Sequence, residues 1–203
     1  MTQIFMLSPA SCGGRRAELL FGGRGTFPLA LRLRAGDAVP LGEAFSFLSG
    51  LYFRGKLAYA QTFAAPPAGV PPTHIITTDR GLLEPDAPVR VEDLRAFGTV
   101  DIDAGDPRYR DPLLRATRDL AERLAQDTRV VLLGSVASGK YIDILTHVFG
   151  ERLCFPSEFV GRGDMSRGGL MLRCVDAHRE LVYVPLAGTA RRGSRPPRLE
   201  PRG

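Results

Sequence analysis

Apolar residues recur along the chain in two alternating rhythms. Short unbroken runs at residues 4–7, 129–134, 152–155 and 181–186, with the β-branched stretch 73–78, read as buried strands. Between them, apolar-rich stretches at 15–21, 27–34, 41–48, 57–63, 91–97 and 141–149 read as helices. In the last of these Tyr141, Ile144, Leu145 and Val148 fall at i, i+3, i+4 and i+7. Residues 111–126 carry the clearest helical pattern. Asp111 is placed to cap it, Pro112 suits its first position, and Leu113, Leu120 and Leu124 form one apolar stripe. Residues 170–175 are compatible with helix or strand, and the spacing favours a helix.

Strands alternating with helices predict an α/β fold: a single domain over 1–186, with a mostly parallel sheet and helices on both faces. Ligands of such folds sit beyond the carboxyl ends of the strands. The loops expected there are 8–14, 79–88, 134–140 and 156–167, and these hold the polar, glycine-rich stretches. One composite cleft at that edge is therefore expected. Residues 50–56 read as a turn, and the proline-rich 66–72 as a connector.

Composition changes this picture little. A hydrophobic content of 44% and a charged content of 24% are those of a soluble globular chain. No run approaches a membrane span, so no membrane partner is expected. Residues 1–9 have neither the basic start nor the apolar length of a signal peptide, which points to the cytoplasm. The three cysteines, Cys12, Cys154 and Cys174, fit neither a disulfide framework nor a zinc pattern. His74, His147 and His178 are scattered, and no metal or other cofactor is implied. The net charge of +5 is local: residues 187–203 hold five arginines against Glu200, leaving +1 for the rest. That Pro/Gly/Arg tail reads as disordered. Only two lysines, Lys56 and Lys140, stand among 27 basic residues, and each follows a glycine.

Candidate chemistry gathers in the loops. Gly134-Ser-Val-Ala-Ser-Gly-Lys140 has the G-x-x-x-x-G-K spacing of a P-loop between a strand and a helix. Tyr141 replaces the magnesium-holding Ser or Thr, and little chain follows to supply an acidic strand. The turn, with Ser135, Ser138 and Lys140, reads instead as a place for a phosphate or other anion, or as a plain strand-to-helix turn with an exposed lysine. Cys12 precedes two glycines and a helix start, where a thiol pKa falls, so it is a candidate nucleophile or redox group as well as a small turn residue. Asp79 is a candidate general base or a turn aspartate. Arg162, Asp164, Ser166 and Arg167 crowd one loop. They read either as helix caps or as paired guanidiniums for phosphate or carboxylate.

Several short segments, taken in order, resemble the YaaA family of bacterial peroxide-stress proteins and its uncharacterised relatives. They are Leu7-Ser-Pro-Ala10, Tyr52 with Gly55-Lys56, Arg80-Gly-Leu-Leu-Glu-Pro85, the stretch 130–141, and Arg162-Gly163 with Met165-Ser-Arg167. The family's lysine after Ser-Pro-Ala is replaced by Ser11-Cys-Gly-Gly-Arg-Arg16, and the extra hairpin linked to DNA binding is not found. The resemblance implies an α/β protein with a positively lined cleft, tied to oxidative stress and to nucleic acid or nucleotides. On this reading Ser8, Tyr52, Lys56, Gly81, Ser135, Ser138, Lys140, Arg162, Ser166 and Arg167 line the cleft and bind a nucleotide or nucleic-acid phosphate. Two other classes stay open. One is an enzyme acting on a nucleoside, nucleotide or modified base, with Cys12 or Asp79 reactive. The other is a partner-binding module that uses the Arg-rich tail.

Overall fold

The computed structural model describes residues 1–137, 139–189, 193–194, 196–197 and 199. In chain order its elements are β1 (Gln3–Leu7), α1 (Gly14–Phe21), α2 (Pro28–Arg34), β2 (Val39–Pro40), α3 (Leu41–Ser49), α4 (Leu51–Phe63), β3 (Thr73–Ile76), β4 (Leu82–Leu83) and β5 (Pro88–Val89). There follow α5 (Val91–Phe97), α6 (Pro107–Glu122), β6 (Arg129–Leu133), α7 (Ile142–Phe149), β7 (Leu153–Pro156), α8 (Asp164–Asp176) and β8 (Tyr183–Pro185). Six strands form one mixed sheet in the order β4-β3-β1-β6-β7-β8. The inner four are parallel, and β4 and β8 run antiparallel at the two edges. β2 and β5 form a separate antiparallel pair.

Every residue of β1 is buried, as expected of a central strand covered on both faces. Its side chains alternate between two cores. Phe5 and Leu7 join Val131, Leu133 and Ile75 against α1–α5 and α8. Ile4 and Met6 join Val130, Leu132 and Ile76 against α6 and α7. The expected α/β architecture, with helices on both faces, is therefore present.

Several local expectations are corrected. Residues 50–56 are not a turn. Gly50, with φ of 61°, ends α3, and α4 starts at Leu51. Tyr52, Phe53, Lys56, Tyr59 and Ala60 share its buried face. Gly55 sits inside this helix because α8 crosses there: a Cβ on Gly55 would stand 2.7 Å from the Gly168 carbonyl oxygen. A Cβ on Gly168 would in turn stand 2.7 Å from the Leu51 carbonyl oxygen. The glycines let two helix backbones touch, and they do not mark a turn.

The long helix begins earlier than Asp111. Asp106 caps it by accepting from the Arg108 N–H (2.9 Å), and Pro107 takes the first turn. Pro112 lies inside the helix. The earlier Asp-Pro pair starts α6 with Tyr109 buried on the same stripe as Leu113 and Leu120. Finally, the loop 79–88 contains β4, paired back on β3, and β5. Neither Asp164 nor Ser166 caps α8, whose N-cap is Gly163 without a side-chain bond.

Among the described residues no helix is long and apolar enough to cross a membrane. Of the tail, Leu199 packs on the larger core, and Ser194 and Pro196 lie beside Gly161. Arg191, Arg192, Arg195, Arg198 and Arg202 lie outside the described residues, as does Ser138.

Candidate functional site

The four parallel strands point the same way, so the segments leaving β3, β1, β6 and β7 share one edge of the sheet. At a strand end the ladder stops and backbone groups become free to hold side chains. Ser8 is the first residue beyond β1, its N–H still bonded to the Leu133 carbonyl (3.1 Å). Lys56 reaches it from α4. The lysine Nζ donates to the Ser8 carbonyl (2.5 Å) and to Ser8 Oγ (2.9 Å), and the residue is fully buried. Burial pushes the amine down to about 7, against a smaller upward pull from Asp164. The Tyr52 and Phe53 rings also flank Nζ, with centroids at 4.6 and 4.7 Å.

Tyr141, the residue before α7, closes the other side. Its hydroxyl donates to the Ser135 carbonyl (2.8 Å). Burial raises its pKa to about 12, opposed first by hydrogen bonding with the Ser8 side chain. Gly134 makes this approach possible. A Cβ there would stand 2.7 Å from the Tyr141 hydroxyl oxygen and 2.9 Å from Ser8 Cβ. The buried hydroxyl of Tyr52 takes a hydrogen bond from the Arg167 guanidinium, and no acceptor for its own proton is found among the described residues. Burial raises its pKa, while the neighbouring Arg167 guanidinium pulls it down.

These groups open on a hollow of about 320 Å³ whose walls include Ser8, Ser11, Tyr52, Ser135, Lys140 and Tyr141. A second hollow, about 640 Å³, adjoins it and shares Pro9, Ser11, Ile102, Lys140 and Asp164. Its walls add Cys12, Thr78 and Asp101. Lys140 is exposed at the common rim.

The remaining candidates separate. Arg167 is buried, and its guanidinium is occupied: Nε and Nη2 donate to the Phe159 carbonyl (3.2 and 3.1 Å), and Nη1 reaches Asp164 (3.3 Å). Arg162 and Ser166 face a different hollow beside Pro196 and Leu199. Arg162 donates there to the Glu158 carbonyl (3.0 Å) and to Ser166 Oγ (3.2 Å). Gly81, with φ of 68°, turns β3 into β4 and abuts α6, where a Cβ would stand 2.5 Å from the Pro112 carbonyl oxygen. Asp79 is half-buried beside Arg80, and burial raises its pKa. Burial together with the Asp79 charge pushes the Cys12 thiol up to about 12. This is the opposite of the lowered value expected at a helix start.

Sequence reasoning put Gly134 and Asp164 in loops expected at this edge without giving either a role in the cleft, and it did not place Tyr141 there. The signal available for Tyr141 was its position directly after Lys140 at a helix start. No cluster of metal-ligating side chains exists among the described residues. Comparisons with family models, curated proteins and solved structures found no match.

Proposed function

We propose that the joined strand-end hollows bind a nucleoside or a nucleotide of low charge, in a protein of YaaA-like type. One observation carries this reading: two adjoining hollows within the usual size of ligand pockets share the exposed Lys140 and the carboxylate of Asp164 on one rim. Lys140 supplies a point charge for one phosphate. Asp164 and Asp101 are acceptors suited to ribose hydroxyls or base amino groups. Lys56 and Arg167 lie beneath, with their hydrogen bonds committed to backbone and neighbours. Two carboxylates in the walls disfavour a polyanion, so a nucleic-acid backbone is the second choice. The resemblance places such binding in an oxidative-stress or DNA-protection setting.

Calorimetric titration with nucleosides, nucleoside monophosphates and single-stranded DNA, at several salt concentrations, tests this. The expected result is monophosphate binding with a salt slope near that of one phosphate contact. Lys140→Ala weakens the monophosphate about 10-fold, close to 1.4 kcal/mol, and leaves the nucleoside unchanged. Tight DNA binding with a steep salt slope, or no binding of any of these, overturns the proposal.

A further inference from the structure

We propose that Ser8 and Lys56 form a nucleophile–base pair that cleaves a carboxylic ester or amide, with Tyr52 donating to the oxyanion. The proposal extends the binding reading by adding acyl transfer in the same hollow. It rests on that reading only for where the ligand is anchored.

The geometry is that of an activated hydroxyl. Ser8 lines the hollow, while Lys56 stands behind it, away from the ligand. One N–H of the amine is fixed on the Ser8 carbonyl, which orients the nitrogen toward Oγ at 2.9 Å. That separation is within proton-transfer reach of a base and its nucleophile. A buried amine that is neutral near pH 7 can accept the serine proton. The ring faces of Tyr52 and Phe53 then steady the ammonium that forms. The charged and titratable groups around the amine are Asp164 and Arg167 from α8, Tyr141 before α7, and Tyr52 on its own helix.

The Tyr52 hydroxyl is a second observation: it takes a hydrogen bond from Arg167, and its own proton has no acceptor among the described residues. A buried O–H without an acceptor carries a desolvation cost that a ligand oxygen would relieve. Acyl chemistry fits better than phosphoryl transfer. Arg167 is held by Phe159 and Asp164 and Lys56 by Ser8, and the other lysine of the hollow, Lys140, is exposed at its rim. A single developing oxyanion needs only one or two neutral donors.

The step balances as follows. Ser8 Oγ bonds to the acyl carbon while its proton moves to Lys56 Nζ. The carbonyl electron pair moves to an oxyanion that Tyr52 donates to. As the oxyanion collapses, the bond to the leaving oxygen or nitrogen breaks and that atom takes the proton from Lys56. Water then attacks the acyl-serine, gives its proton to Lys56, and Ser8 Oγ leaves and recovers it.

The test uses the full chain with a fluorophosphonate probe and with p-nitrophenyl acetate. Peptide mass mapping should place the label on Ser8, and Ser8→Ala should remove it. The rate should rise with pH around a single pKa near 7 in the wild type. Lys56→Met should lower the rate about 100-fold or more and abolish that pH step, as loss of a general base does. Tyr52→Phe should cut turnover about 10-fold or more. If Lys56→Met does not fold, the wild-type pH profile and Tyr52→Phe still decide the matter. Label on another residue, no label at all, or a Ser8 rate indifferent to pH and to Tyr52→Phe overturns the proposal. Such a result with nucleoside binding intact removes only the acyl chemistry, whereas loss of binding as well removes both readings.

Discussion

Two hollows in this protein are each walled by a residue whose buried polar atom lacks a hydrogen-bond counterpart among the described residues, yet only one has chemistry beside it. At the strand ends it is the Tyr52 hydroxyl, whose proton has no acceptor. Tyr52 shares that hollow with Ser8, whose hydroxyl is coupled to the Lys56 amine at 2.9 Å. On the flank of the sheet, between β4 and α6, a hollow of about 530 Å³ is walled by His74, Leu82, Glu84, Asp119 and Arg123. There the orphan is His74 Nε2. Burial pushes that imidazole down to about 4, against a bond with the Pro71 backbone and with some help from Arg123. No nucleophile lines that hollow, and its histidine is a neutral member of the core. The difference is one of position. Strand ends leave backbone carbonyls such as that of Ser8 free to hold a side chain, whereas mid-strand groups are used by the ladder.

The largest expected effect breaks the strand-end site from below. Gly168→Leu forces α8 away from α4, because even a Cβ would meet the Leu51 carbonyl at 2.7 Å. It should cost about 3 kcal/mol or more in urea denaturation, in line with overpacked cores. The adjacent Gly169→Ala has only Leu199 near, at 3.6 Å, and should be neutral or stabilising by up to about 1 kcal/mol.

The next two predictions set the buried titratable groups against each other. Lys56 is neutral in the folded state above about 7 but still binds its proton in the unfolded chain up to about 10.5. The unfolded state thus holds more protons across that window, so this group's contribution to stability rises with pH there and is lost as pH falls through about 7. Urea midpoints of wild type minus Lys56→Met should therefore climb between pH 7 and 10. A flat difference contradicts a neutral amine. His74 acts at lower pH. Its unfolded form takes up a proton below about 6.5, and its folded form only near 4. Stability should fall across that interval, on the order of 2 kcal/mol, and His74→Phe should flatten the loss.

The smallest effect sharpens the boundary of the site. Arg162 faces the hollow beside Pro196 and Leu199, not the one at Ser8. Arg162→Ala should change stability by within about 0.5 kcal/mol, as is usual for a surface change, and should leave nucleoside binding and Ser8 labelling unaltered. A large loss of either would rejoin the two hollows.

Much of the architecture was legible in the chain because it follows from burial alone. A central strand buried on both faces is apolar over nearly its whole length, here four consecutive residues in each of β1 and β6, so both stand out without knowledge of their neighbours. The edge strands β4 and β8 are two and three residues long and only partly buried, so their pattern is weaker. β8 was readable within its apolar run, and β4 was not. Gly50-Leu-Tyr-Phe-Arg-Gly-Lys56 was unreadable for another reason. Its Gly55 answers to α8, which lies more than a hundred residues along the chain.

The candidate site divides the same way. Strand-end loops rich in Gly and Ser announced where side chains would gather, because parallel strands place their carboxyl ends together. Which ones meet was decided by packing. Lys56 and Lys140 look alike in sequence, each after a glycine, yet one is fully buried on Ser8 and the other is exposed on the rim. Arg162 and Arg167 are five residues apart but face different surroundings, since Arg162 precedes α8 and Arg167 lies on that helix's buried face. The sequence by itself determined the central strands, the layered fold and the edge at which polar groups collect. Only the tertiary structure decided that a lysine amine lies 2.9 Å from a serine hydroxyl, because that distance depends on two glycine-thinned helices crossing.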